Sequence, residues 1–193
     1  MMRWQRVRVI RVIVAIATVA LLGVTVTSAL ADTVTQDLTG DALTAQIANL
    51  MLPSASYSSS PQTSNGTMAL TVSDNSGLNA GWNVTVSASD FVWAAGGTGA
   101  IGGTNIPATD FLLTSASAAT MNSGQPVDDS GGPLVPTTSP LGTLDQPRKV
   151  LQANPDFGAG SYSQSLGVQL NIPARSTAGT YTSTLTVSIT SGP

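Results

Sequence analysis

Four segments of the chain alternate apolar and polar side chains with a period of two. They cover residues 66–74, 81–87, 166–172 and 180–189. In a β-strand, successive side chains point to opposite faces, so this period places the apolar residues on one face and the hydroxyls and amides on the other. Each segment therefore predicts a strand with one buried face and one solvated face. The predicted inward residues are Met68, Leu70, Val72, Trp82, Val84, Val86, Leu166, Val168, Leu170, Ile172, Tyr181, Leu185, Val187 and Ile189.

The composition agrees with strands and turns rather than with helices. Ser and Thr make up 48 of the 193 residues, Glu is absent, and Lys149 is the one lysine. Such a chain is poor in helix-favouring residues and rich in residues that suit a pleated, half-buried surface. We expect an all-β fold, an antiparallel β-sandwich with Greek-key, Ig-like connections. The segment 41–52 is compatible with either a strand or a short helix.

Turn-forming residues separate the predicted strands. Residues 74–77 (DNSG) link the first two alternating segments, and residues 173–179 link the last two. Such short links predict that the strands they join are antiparallel neighbours. Two stretches, 94–103 and 118–147, lack alternation and are rich in Gly, Pro, Ser and Thr. We interpret them as surface loops within a single domain that spans residues 32–193.

The first 31 residues have the organisation of a secretory signal peptide. Four arginines lie between residues 3 and 11, an uncharged apolar run covers 12–26, and Ala29-Leu30-Ala31 precedes Asp32. Small residues at the first and third positions of that tripeptide match the cleavage pattern of signal peptidase. The alternative is an uncleaved anchor, for which the apolar run is short, because a bilayer span needs about 20 residues. We predict a signal-peptide helix, cleavage after Ala31, and a secreted domain with a formal net charge of −7 and no membrane association.

The missing residue types exclude most catalytic chemistry. The chain has no His and no Cys, which removes Ser-His-Asp triads, imidazole or thiolate metal sites and disulfides. Only three basic residues lie beyond residue 11, too few for the basic surface that nucleic acid requires. We therefore expect no cofactor, no metal, no nucleic-acid partner and no enzymatic activity.

Two of the alternating segments resemble the WxL domain of Gram-positive cell-surface proteins. Residues 70–77 (LTVSDNSG) followed by 81–87 (GWNVTVS) are similar to the family's strand, turn and "G-W-x-L-T-V-S" motif. Residues 178–189 (AGTYTSTLTVSI) are similar to the family's final "G-x-Y-x-x-x-L-T-W-x-L" strand. Val84 stands where the family has Leu, Val187 where it has the distal Trp, and Ile189 where it has Leu. The resemblance covers about residues 70–189.

The resemblance implies a secreted protein that associates non-covalently with the cell wall, with peptidoglycan as the ligand. The motif positions Trp82, Val84, Val187 and Ile189 are then candidate ligand-binding residues, although packing in the core is the alternative for Trp82. The missing distal Trp places the attachment role in question more than the fold. Trp93, which follows Phe91 and precedes the Gly-rich stretch, is a further candidate for stacking against a sugar ring.

Several charged residues have a functional and a simpler interpretation. Asp128 and Asp129 would suit calcium, but they lack the alternating ligands of a recognised calcium loop, so solvated carboxylates are the simpler interpretation. Asp90, Asp110 and Asp156 would be the acids of a glycosidase, and each also suits a turn. The adjacent Arg148 and Lys149 would suit an anionic wall polymer or the solvated end of a strand.

Three functions thus remain open at the level of sequence. The first is a non-catalytic surface protein bound to the cell wall. The second is a structural or adhesive subunit that assembles with itself or with other surface proteins, since edge strands can pair between chains. The third and most remote is an Asp-based glycosidase, for which the usual His or Glu is lacking.

Overall fold

The computed structural model describes residues 36–96, 99–137 and 141–193. The predicted signal-peptide helix, residues 1–31, lies outside the described residues. Within the described ranges, no helix is long and apolar enough to cross a bilayer.

The described chain is all-β, as predicted, and every strand pairing is antiparallel. A single 3-10 turn, Ala108–Asp110, precedes β5. The strands are β1 Leu43–Ile47, β2 Gln62–Asp74, β3 Trp82–Ala88, β4 Val92–Ala94, β5 Phe111–Ala116, β6 Thr120–Gly124, β7 Gly142–Thr143, β8 Arg148–Ala153, β9 Gly160–Ile172, β10 Thr180–Thr182 and β11 Leu185–Ser191.

The strands form one large sheet, one three-stranded sheet and one short ribbon. The large sheet has the order β1-β2-β9-β5-β7, and β6 pairs with the first part of β9. The second sheet has the order β11-β3-β8, and β10 pairs with β4 in the ribbon. The longest pairing joins β2 and β9 along all 13 residues of each strand.

The inward faces of the two larger sheets share one hydrophobic core. Burial alternates along β2, where Met68, Leu70 and Val72 are buried between exposed neighbours. The same alternation in β3 buries Trp82, Val84 and Val86, and that in β9 buries Tyr162, Leu166 and Val168 among others. The period of two in the sequence therefore predicted the buried face correctly, because side-chain direction in a strand is a local property.

Strands that are adjacent in sequence are not always adjacent in a sheet. The links 74–77 and 173–179 were expected to join antiparallel neighbours, and this expectation was wrong. β2 belongs to the large sheet and β3 to the three-stranded sheet, while β9 and β10 are likewise in different sheets. Both links are largely exposed and carry the chain from one sheet to another. Two strands bury their apolar faces in one core when they lie in opposite layers as well as when they are neighbours in a sheet.

The final alternating segment, predicted as one strand, consists of two. Residues 183–184 separate β10 from β11, and residues 89–91 separate β3 from β4. Ser89 is hydrogen-bonded to the first of these breaks. Its Oγ accepts a hydrogen bond from the Thr184 N–H (2.9 Å), and its carbonyl accepts one from the Ser183 hydroxyl (2.6 Å). The ladder between residues 82–94 and 180–191 is therefore interrupted at one point, and β4 and β10 continue as a separate ribbon.

The regions that sequence left open take defined conformations. In the segment 41–52, residues Leu43–Ile47 form the edge strand β1, not a helix, and pair with the end of β2. The stretch 118–147 contains the short strands β6 and β7. Of the stretch 94–103, Ala94 ends β4 and the other described residues are irregular.

Candidate functional site

Trp82, the first candidate ligand-binding residue, lies in the centre of the core. Its side chain is fully buried, and its indole N–H donates a hydrogen bond to the Gly158 carbonyl at 3.0 Å. The indole also packs against the ring of Tyr162 from the opposite sheet, with centroids 6.2 Å apart. Trp82 therefore links β3, β9 and the loop between β8 and β9, and no part of its indole is exposed to a ligand in this structure.

The backbone position before Trp82 requires a glycine. Its φ is +69°, and a Cβ atom there would lie 2.5 Å from the Ala153 carbonyl oxygen. Glycine tolerates both the left-handed backbone and the close approach of the neighbouring strand. The pair Gly81-Trp82 is thus a structural unit that directs the indole into the core as the chain enters β3.

The two segments that carry the family motifs are hydrogen-bonded neighbours. β3 pairs with β11, and the register places Val84 opposite Ile189 and Val86 opposite Val187. Val84 is fully buried, whereas Val187 and Ile189 are half-buried and pack against the edge of the core. The structure therefore brings four of the five candidate residues together, but as packing partners on the inner face of one sheet.

Trp93 lies apart from these residues, on β4, and is half-buried. Its indole N–H donates to the Ala178 carbonyl at 3.3 Å. Gly103 lies against its ring, since a Cβ at Gly103 would come within 2.5 Å of the Trp93 Cγ. One indole face is therefore covered by the Gly-rich stretch, and Trp93 supports the strand β10 and the chain before it.

The charged candidates are engaged in local structure. Asp90 accepts a hydrogen bond from the Ala108 N–H at 2.8 Å and so fixes the start of the 3-10 turn. Asp128 accepts three bonds, from the Ser130 N–H, the Ser130 hydroxyl and the Gly131 N–H, at 2.6–2.8 Å. The hydroxyl and amide donors hold the pKa of Asp128 below its usual value of 3.8. Among the described residues, no three acidic side chains are grouped to hold a metal ion.

The positive pair on β8 is also bonded within the domain. The Arg148 guanidinium donates to the Thr143 carbonyl at 2.8 Å, and the Lys149 ammonium donates to the Gln152 side chain at 3.1 Å. The first contact joins β8 to β7, and the second lies within β8. Contact with an anionic wall polymer would therefore compete with existing hydrogen bonds.

A cleft at one end of the large sheet is the concave site that the sequence did not indicate. It has a volume of about 650 Å³, within the range of small-ligand pockets. One wall is the irregular segment 50–58, and the other is formed by residues 176–183, which include β10. The ends of β5 and β9 close its base through Phe111, Leu170 and Ile172. The segment 50–58 has no period of two, and the alternation that begins at residue 180 predicted a buried face rather than the wall of a cleft.

The cleft wall 50–58 is held in place by side-chain hydrogen bonds. The Ser64 hydroxyl donates to the Pro53 carbonyl at 3.1 Å, and the Gln62 amide donates to the Ser56 carbonyl at 2.9 Å. The Arg175 N–H donates to the Ser58 carbonyl at 2.8 Å and ties this wall to the opposite one. An extended segment without strand partners thus becomes a fixed border of the cleft.

The lining of the cleft is uncharged and has two kinds of surface. The floor is aromatic and aliphatic, with Phe91 and Phe111 in an edge-to-face contact at 5.1 Å beside Ile106. The rim consists of Ser and Thr hydroxyls, the Gln62 amide and two tyrosines, Tyr57 and Tyr181. Neither Asp, Glu, Lys nor Arg contributes to the described lining, although the chain as a whole is acidic.

The two tyrosines of the rim differ in their surroundings. Tyr57 is 68% exposed, so most of its ring faces solvent at the mouth of the cleft. Tyr181 is half-buried, and its hydroxyl donates to the Thr177 carbonyl at 2.8 Å. Burial raises the pKa of Tyr181 above its usual value of 10.0. The Tyr181 phenol is therefore neutral at physiological pH, and Tyr57 is the ring available for stacking.

Fold and site together define a class: an antiparallel β-sandwich domain with an uncharged cleft, in which the motif residues of β3 and β11 form part of the core. The chain belongs to the WxL domain family, described as surface cell wall-binding, and the family match covers residues 25–193. The match begins seven residues before Asp32, the predicted first residue of the mature chain. Neither the comparison with curated proteins nor that with solved structures gives a match.

Proposed function

We propose that this protein is a secreted, non-catalytic surface protein that attaches non-covalently to the peptidoglycan of the cell wall. The observation that carries the proposal is the WxL family match, which extends over the whole described sandwich. The signal-peptide pattern of residues 1–31 supplies the route to the cell surface.

The chemistry of the cleft supports binding without turnover. Hydrolysis of a glycosidic bond generally uses two carboxyl groups, one on each side of the bond. The described cleft lining carries none, and Asp90 is used to fix the 3-10 turn. The remaining groups at the cleft are neutral hydroxyls, amides and rings, which bind a ligand without activating water.

Retention on purified peptidoglycan sacculi tests the proposal. The purified protein should co-sediment with sacculi, whereas an unrelated acidic β-sandwich protein of similar size should stay in solution. Since the cleft is uncharged, retention should persist when salt is raised from about 0.05 M to 0.5 M, where charge-driven binding is screened. Equal sedimentation of the two proteins would contradict attachment.

One structural feature favours the second candidate, a subunit that assembles through its strands. Among the described residues, β11 is hydrogen-bonded to β3 and β1 to β2, so each has one edge outside its sheet's ladder, and the two strands also lie close to each other. Neither strand carries a charge or a proline, the residues that commonly protect an edge from pairing with another chain. Light scattering at rising concentration distinguishes the two candidates, since a constant monomer mass would exclude self-assembly.

A further inference from the structure

We infer that the cleft between residues 50–58 and 176–183 is the ligand site and that its ligand is an uncharged, N-acetylated glycan. This inference rests on the proposed wall attachment and specifies which chemical part of the wall is bound. Three features of the cleft support it: the lack of charge in its described lining, the division between a polar rim and an apolar floor, and the exposed ring of Tyr57 at its mouth.

Charge selects among the polymers of a cell wall. Anionic polymers and peptide stems carry carboxylates or phosphates, and burying such a charge without a partner is costly. The described lining offers no Lys or Arg to pair with them, and the chain carries more acidic than basic residues. A neutral polysaccharide incurs neither the desolvation cost nor the repulsion. The glycan is therefore the component that matches the cleft.

The rim matches the hydroxyls and the ring face of a sugar. The apolar face of a pyranose stacks on an aromatic ring, and Tyr57 presents such a ring at 68% exposure. Within the described chain, the hydroxyls of Ser54, Ser56 and Thr180 have no hydrogen-bond partner, so they are available to a ligand. Gln62 donates through its Nε2 to the Ser56 carbonyl, which leaves its Oε1 as an acceptor at the rim.

The floor adds a requirement that an ordinary sugar does not meet. The half-buried Leu50 and Leu185 form an apolar base below the polar rim, together with Phe91 and Phe111, which are almost fully buried. A glycan that carries only hydroxyls would place polar groups against this base and lose their hydrogen bonds to water. An acetamido group places a methyl there, while its amide N–H and carbonyl remain at the level of the rim. The combination of an apolar floor and a hydroxyl rim thus points to N-acetylated sugars.

Titration with soluble oligosaccharides tests the inference. Binding of the N-acetylglucosamine tetramer to the purified protein is measured by calorimetry or by NMR shifts, with cellotetraose as the probe that has the same linkage but no acetamido group. We expect cellotetraose to bind about fourfold more weakly for each acetyl methyl that the floor buries. Equal binding of the two tetramers would overturn the N-acetyl assignment.

Variants at the mouth test the location. Tyr57→Ala removes the exposed ring and should weaken binding of the tetramer about threefold to tenfold, whereas Tyr57→Phe should bind as the wild type does. Leu78→Ala is the matched control, because Leu78 is 71% exposed and lies outside the cleft. Since Tyr57 is exposed, thermal melting should be unchanged in all three. Unaltered binding by Tyr57→Ala would overturn the site.

The same proteins, tested on sacculi, separate this inference from the proposed function. If wild-type protein is retained on sacculi but binds the isolated peptide stems rather than the tetramer, the wall attachment holds and the glycan assignment fails. If the protein is not retained on sacculi at all, the proposed function fails. If retention falls with Tyr57→Ala but not with Leu78→Ala, both are supported.

Discussion

The role of Trp82 leads to the sharpest stability prediction. Trp82→Phe keeps an aromatic ring in the core but removes the indole N–H, so the Gly158 carbonyl loses its buried donor at 3.0 Å. The loss of a buried hydrogen bond costs about 1–3 kcal/mol. The smaller ring also leaves a void beside Gly158 and Tyr162, which adds about 1 kcal/mol. We therefore expect the free energy of unfolding to fall by about 2–4 kcal/mol.

Urea unfolding followed by far-UV circular dichroism measures this change without relying on tryptophan fluorescence. The transition midpoint should drop by roughly 1–2 M at an unchanged slope. Trp93→Phe is the matched control, because that indole is half-buried and its bond to the Ala178 carbonyl is 3.3 Å long. The control should lose less than about 1 kcal/mol.

Two results would refute the reasoning. If Trp82→Phe costs no more than Trp93→Phe, the buried bond and ring contact do not anchor the core. If Trp82→Phe is as stable as the wild type but is no longer retained on sacculi, Trp82 acts on the ligand rather than on the fold. We expect the folded variant to be retained as the wild type is, because the indole lies outside the cleft.

Three further predictions concern backbone and titration. Gly81→Ala should destabilise the protein by about 2–4 kcal/mol, because the new Cβ meets the Ala153 carbonyl at a positive φ. Gly77→Ala has the same sign of φ but no atom near the new Cβ, so it should cost only about 1 kcal/mol. Equal losses of stability in thermal unfolding would contradict the contact with Ala153. The lowered pKa of Asp128 stabilises the fold above pH 3.8, and this contribution should disappear as the pH falls through the lower, folded-state value. When the free energy of unfolding is measured at decreasing pH, Asp128→Asn should therefore lose less stability between neutral and acid pH than the wild type does. Burial, with a smaller effect of a nearby carboxylate, raises the pKa of Tyr162 above 10.0, so stability should decline as the pH rises past 10.0, where the unfolded chain ionises first. Tyr162→Phe should reduce that decline and leave the part due to Tyr181, whose pKa is also raised; an unchanged alkaline profile would contradict the prediction.

The strands and their buried faces could be predicted from the sequence with good accuracy. The alternation in β2, β3 and β9 identified which side chains enter the core, including Trp82 and Val84. The fold class and the family followed from the same segments. These properties are local, because a residue's direction in a strand depends only on its position in the alternation.

The candidate site could not be predicted in the same way. Trp82 and Val84 were candidates for ligand contact because of the motif, but motif membership does not distinguish a buried residue from an exposed one. The cleft is formed by an irregular segment at 50–58 and a second wall at 176–183, more than a hundred residues later. Ser and Pro in the segment 50–58 give no periodic signal, and the alternation from residue 180 onward indicated only a buried face. Tyr57 stands out only once its exposure is known.

The alternation of apolar and hydroxyl residues thus determined by itself that the chain folds into strands and which faces they bury. Only the tertiary structure decided which strands pair, and it placed β2 and β3 in opposite sheets although seven residues join them. The physical reason is that two strands bury their apolar faces in one core whether they are neighbours in the same sheet or lie in opposite layers, and the sequence pattern is identical in both cases. The same choice of partners created the uncharged cleft, since its walls meet only when the large sheet and the β4–β10 ribbon come together.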